Sequence, residues 1–154
     1  MEDIYKVEDI YKVEDIYKVE NMDKAEVIRT TFPKSERLVS QKLIDQLFTG
    51  GKNRSLSEFP LRLVYSLRQR QEGDEPVQLL ISVPKKHFHH AVDRNRVKRQ
   101  LREAYRHCRQ PLFTALPSDR SLQVALLWLS DRHYDTAQVF VSVDNLFDRL
   151  VRQL

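Results

Sequence analysis

The run LQVALLWL, from Leu122 to Leu129, is apolar almost throughout. A strand with one face in water alternates apolar and polar residues, so this run reads as a strand covered on both faces and central in its sheet. Such a strand requires a layer of structure on each side. Leu61, Leu63, Tyr65 and Leu67 alternate with Arg62, Val64, Ser66 and Arg68, the period-two pattern of a second strand. Val77, Leu79, Ile81 and Val83 repeat that pattern until Pro84, and the polar QRQEGDEP stretch between the two reads as a turn, so the pair is expected to form a hairpin.

Helical spacing supplies the covering layers. Ser35 is a candidate N-cap for a first helix from about Glu36 to Phe48, with Val39, Leu43, Ile44 and Leu47 on one face and Gly50-Gly51 as its stop. From Asp93 onward, Val97, Leu101, Ala104, Tyr105 and Cys108 form one narrow apolar stripe, with Asp93 and Asn95 as cap candidates. Ser142 is a cap candidate for a closing helix carrying Val143, Leu146, Phe147, Leu150, Val151 and Leu154. The order α-β-β-α-β-α predicts a small α/β sandwich, in which the second strand, the middle helix and the apolar strand make a βαβ crossover. Trp128, in the most apolar strand, reads as core.

A chain of 154 residues is long enough for one such domain. Residues 1–21 stand apart as a six-residue unit, IYKVED, repeated with almost no drift. Six residues turn a helix by about 600°, so no continuous apolar face forms, and the segment reads as a disordered low-complexity tail. The domain then occupies 22–154, with Met22 as an alternative start. Three glycines, Gly50, Gly51 and Gly73, leave no glycine-rich phosphate cradle. The single Cys108 allows no internal disulfide, and no apolar run approaches the roughly 20 residues of a membrane-spanning helix. The acidic start lacks the form of a secretory signal, so the cytoplasm is the expected location.

Net charge is +4, which is mild, but it is unevenly placed. The tail holds seven acids against three lysines, while residues 22–154 hold 23 basic and 15 acidic residues, a balance of +8. Nine of those basic residues are Lys85, Lys86, Arg94, Arg96, Lys98, Arg99, Arg102, Arg106 and Arg109, interrupted only by the acids Asp93 and Glu103. With the apolar stripe turned inward, Arg99, Arg102, Arg106 and Arg109 are expected to share one exposed strip, with Lys98 and Arg94 beside it. Like charges at that spacing cost a helix a few tenths of a kcal/mol per pair, a penalty relieved when phosphates neutralise them. An ordinary solvated face interleaves acids for pairing, and here only Glu103 does so, which favours a polyanion partner. His87, His89 and His90, with His107 and Cys108 further on, lack any Cys-x-x-Cys or His-Glu-x-x-His frame and extend the basic surface rather than hold a metal. No Ser-His-Asp or paired-carboxylate arrangement stands out.

The segment SVPKKHFHHAVDRNRVKRQLREAYR resembles the signature of the bacterial ribonuclease P protein component: a strand ending in Lys-Lys, a short connection, then Arg-Asn-Arg, Lys-Arg and Leu-Arg-Glu. The likeness runs more weakly through Phe32, Lys34, Arg37 and Leu38, and through Phe48-Thr49-Gly50-Gly51-Lys52. It departs where Phe88, His89 and His90 fill a connection that often carries glycine, and in the hexapeptide tail. The resemblance implies an α/β sandwich whose crossover is left-handed, against the general rule. It implies a protein subunit that binds the catalytic RNA of ribonuclease P and the 5′ leader of precursor tRNA, with hydrolysis performed by the RNA and its Mg²⁺ ions and no protein catalytic residue. On that resemblance Lys85, Lys86, Arg94, Asn95, Arg96, Lys98, Arg99, Arg102 and Arg106 bind RNA. Phe32, Lys34, Arg37 and Tyr65 are leader-binding candidates, with Tyr65 equally a core residue on its strand. No obligate protein partner and no membrane are inferred. The alternatives are a basic protein using the same helix on DNA or ribosomal RNA, and a self-contained metallonuclease using the histidines.

Overall fold

The computed structural model describes residues 32–154, and the repeat tail and Met22 lie outside them. Its centre is β4 (Arg120–Trp128), flanked by β2 (Leu61–Gln69) antiparallel and β3 (Val77–Ser82) parallel, in a sheet ordered β1-β2-β4-β3 with β1 (Arg54–Glu58) on the outer edge. The central placement expected of the apolar run is therefore observed. Leu122, Val124, Leu126 and Trp128 enter the larger core, while Ala125 joins Leu38, Leu47 and Val64 on the opposite face, with Leu127 packed beside them. Two polar residues at the start of β4 are buried but satisfied: Gln123 Nε2 donates to Ser121 Oγ, which donates to the Glu75 carbonyl.

The larger core lies under α2 (Ala91–Cys108) and α4 (Thr136–Val151), with the short α3 (Gln110–Ala115) between them in sequence, and α1 (Gln41–Thr49) covers part of the other face. The unanticipated β1 and α3 are additions to the expected order. The expected hairpin of β2 and β3 does not form, because β4 lies between them and β2 instead pairs with β1 in register Glu58↔Leu61. A strand apolar on both faces gains most from the interior, and the seven residues Arg70 to Pro76 can step across the roughly 10 Å of two strand spacings. The βαβ crossover is present as β3-α2-α3-β4 with parallel outer strands.

The helix starts also differ from expectation. Ser35 sits in a 3₁₀ turn, Lys34–Glu36, after which Leu38 N–H donates to the Leu79 carbonyl and Arg37 bridges the same residue, covering the exposed edge of β3. Only after this extended stretch does α1 begin, capped by Ser40 Oγ on the Leu43 N–H at 3.3 Å. In α2 the N-cap is His90, so Asp93 lies within the first turn, where its charge suits the helix dipole, and Asn95 is an exposed interior residue. In α4 Asp135 caps with Gln138 reaching back in a capping box, and Ser142 is buried inside the helix.

Trp128, Tyr105 and Cys108 are core residues, as their positions in the apolar pattern suggest. Burial, reinforced by the nearby Asp144 carboxylate, pushes the Cys108 thiol up to about 12. The native protein at pH 8 is therefore expected to resist a disulfide reagent, with full labelling in urea; rapid stoichiometric labelling without denaturant would contradict this packing.

Candidate nucleic-acid interface

The stripe Val97, Leu101, Ala104, Tyr105 and Cys108 seats α2 on the core and turns Asn95, Arg96, Arg99 and Arg102 to solvent. Arg96, Arg99 and Arg102 have no acidic partner among the described residues. Lys98 is half-buried, and Arg106 is half-buried with Nη1 on Glu103 at 2.7 Å. Lys85 and Lys86 are exposed in the turn after β3.

Two arginines of the cluster do structural work. Arg94 Nη1 donates to the Phe88 and His89 carbonyls at 3.0 and 2.9 Å, which shapes the connection where glycine is missing. Phe88 anchors that connection in the core, stacked on His133 at 4.5 Å, while His133 reaches Asp93 and His87 reaches Asp131. Arg109 corrects the expected strip: it is 6% exposed, with Nη1 2.7 Å from Glu36 Oε1 and its guanidinium over the Tyr105 and Phe113 rings. Being four residues from Tyr105 and eight from Leu101, it belongs to the inner face. Glu36, 5% exposed, also accepts from Tyr105 Oη at 3.0 Å. Burial outweighs the pull of Arg109 and raises the Glu36 carboxyl above its ordinary range.

The four leader candidates are not gathered around one opening. Phe32 is half-buried, edge-on to Tyr105 at 5.2 Å, with the exposed Arg37 over its ring, and Lys34 is exposed nearby in the chain. Tyr65 is 3% exposed, on the inner face of β2 with Leu61 and Leu63, and its hydroxyl donates to Gln153 Oε1. Its ring is closed to a nucleobase, and the strand alternation places it there. The opposite face of β2 carries Arg62, Val64, Ser66 and Arg68. Where α1 leaves that face uncovered, Phe48, Asn53, Arg54, Ser55, Arg62, Val64 and Leu127 line a cavity of about 190 Å³. Phe48 is 40% exposed there, and Asn53 Nδ2 holds the end of α1 by donating to the Leu47 carbonyl at 2.6 Å. Phe48 and Arg62 were hidden in the sequence because each fits an ordinary pattern, one on an apolar helix face and one on a solvated strand face.

A sheet with an acid-poor arginine helix on one face and a basic, aromatic cavity on the other defines a polyanion-binding α/β domain. The family model for Ribonuclease P matches residues 32–151. Over 108 residues the chain is 39% identical to the ribonuclease P protein component of Chlorobium phaeobacteroides, covering 64% of this chain and 72% of that protein. It is 45% identical over 73 residues to that of Porphyromonas gingivalis, covering 47% and 51% respectively. The solved Staphylococcus aureus RNase P protein superposes with a TM-score of 0.59 over 76% of this chain and 96% of that one, at 19% identity, a likeness of fold. The chain belongs to the ribonuclease P protein family and is a protein subunit of that endoribonuclease. These matches do not favour a DNA- or ribosomal-RNA-binding role outside that enzyme. Among the described residues no helix is long and apolar enough to cross a membrane.

Proposed function

We propose that α2 docks this subunit on the ribonuclease P RNA, and that the cavity face beside α1 holds the 5′ leader of precursor tRNA. The observation that carries the first part is the row of Arg96, Arg99 and Arg102, exposed and without acidic partners among the described residues. Arginine grips phosphate with two donors and stacks on bases, and its burial under phosphate removes the repulsion within the row. Lys85, Lys86 and Asn95 extend this surface at the start of the helix, Lys98 and Arg106 border it, and Arg94 positions the loop that bears the lysines. In the second part, Phe48 offers a ring for a base while Arg54 and Arg62 answer phosphates, as in other single-strand sites. Lys34 and Arg37 attract the strand further along, with Phe32 bracing Arg37.

Hydrolysis falls to the RNA and Mg²⁺ bound by it. Among the described residues no three His, Cys, Asp or Glu side chains stand together as a group that could hold a metal ion. The work is cytoplasmic. Reconstitution with the cognate RNA, precursor tRNA and limiting Mg²⁺ tests the proposal: the protein is expected to raise leader cleavage, and Arg62→Ala to weaken precursor binding while leaving mature tRNA binding unchanged. Equal loss for precursor and mature tRNA would remove the leader from the cavity.

A further inference from the structure

We infer that Phe59, at the tip of the β1–β2 turn, is a stacking platform for an unpaired nucleotide of the ribonuclease P RNA; this rests on the RNA-docking role of α2. Phe59 is 65% exposed, and Leu129 and Val92 are also exposed at the same end of the sheet. The register puts these features together. Glu58 opposes Leu61, Leu61 opposes Trp128, and Ser82 opposes Leu127, so residues 59–60, 83–90 and 129–135 all leave the sheet at one end. From β1 to β3 that end spans about 14 Å, three strand spacings.

The charge there is lopsided. Each nearby acid already has a partner: Glu58 faces Arg149 at 3.7 Å, Asp93 takes His133, Asp131 takes His87, and Asp135 caps α4. Lys85, Lys86, Arg96 and Arg132 have no acidic partner among the described residues. An exposed aromatic ring on a basic rim is the combination that holds an unpaired base, through stacking and phosphate attraction together. The same face of a second copy, equally basic, would be repelled from it.

The ring is also held in place. Phe59 packs edge-on to Tyr134 at 6.3 Å, and Tyr134 edge-on to the buried Trp128 at 5.7 Å. The Tyr134 carbonyl accepts from Gln100 Nε2 of α2 at 3.0 Å, and Leu129 N–H donates to the Pro60 carbonyl at 2.8 Å. The platform is thereby tied to the helix whose arginines meet the RNA, and its ring loses little freedom on stacking.

The test is equilibrium binding of the ribonuclease P RNA, without precursor tRNA, to Phe59→Ala, Phe59→Leu and Phe59→Trp across a range of salt, beside Arg99→Ala. Alanine and leucine are expected to weaken binding by about five- to a hundredfold with the salt slope unchanged, since stacking releases no counterions. Tryptophan is expected to bind like the parent while leucine does not, a pairing that a merely apolar contact, which leucine would keep, would not produce. Parent-like binding by Phe59→Ala with weakened Arg99→Ala overturns the platform and leaves the docking role standing. Parent-like binding by both overturns both. Loss of self-association in Phe59→Ala with RNA affinity intact overturns the platform in favour of a contact between copies.

Discussion

Arg109→Ala is expected to destabilise the protein by about 3–5 kcal/mol at pH 7, the scale for removing one partner of a buried ion pair. The Glu36 carboxylate would remain inside with the Tyr105 hydroxyl as its nearest donor, and the Tyr105 and Phe113 rings would lose the guanidinium packed over them. The pH dependence has a definite sign. Burial raises the Glu36 carboxyl above its unfolded value near 4.5 despite Arg109, so the native state keeps its proton to higher pH than the unfolded chain. The stability due to that group is complete below pH 4.5 and is lost as pH rises through the raised native value. Without Arg109 that value rises further, so the variant's deficit widens towards neutral pH and narrows in acid. Adding Glu36→Gln removes the buried charge and is expected to recover part of the loss. Urea unfolding at pH 7 and near pH 4.5 reads both effects. A deficit under 1 kcal/mol, or one larger in acid, would show that the pair is not held as described.

The double substitution Arg99→Ala, Arg102→Ala is expected to leave unfolding nearly unchanged, because both side chains lie in solvent. RNA affinity should fall by about five- to eightfold per arginine near 0.1 M salt, and the slope of log affinity against log salt should flatten by about 0.7–0.9 for each. The contrast with Arg109→Ala separates the two uses of one residue type on a single helix: the outward pair is read by salt and RNA, the inward one by denaturant. Arg94→Ala falls between them, since its hydrogen bonds shape the loop bearing Lys85 and Lys86. An unchanged salt slope in the double variant would remove this strip from the RNA interface.

Much of the architecture was legible along the chain. The apolar run of β4 has to be central wherever it is placed, and the stripe of α2 determines which side of that helix meets the core. The density of basic residues from Lys85 to Arg109 similarly marked the strongly basic outer face of α2 before any fold was known. The boundaries moved for local reasons. The edge of β3 drew Arg37 and Leu38 into pairing, so the first helix began at Gln41 under Ser40 instead of near Ser35. Asp135 offered the closing helix a reciprocal cap with Gln138, which the buried Ser142 could not.

Hydrophobic periodicity reports which side of a segment is apolar, a property of neighbouring residues. That much the sequence determined by itself: the types of the main strands and helices, most of their inner faces, a buried Trp128 and an arginine-rich outer face on α2, but neither β1 and α3 nor the exposed position of Val39 ahead of α1. It carries no information on which segments become neighbours. Tertiary structure therefore decided that β4 separates β2 from β3, that Tyr65 lies beneath α4, and that Phe48 and Arg62 share a cavity. It also decided the fate of Arg109, whose partner Glu36 lies 73 positions away in the chain. A charge in a sequence has no depth until the fold assigns it one, and desolvation then determines whether it binds RNA or holds the protein together.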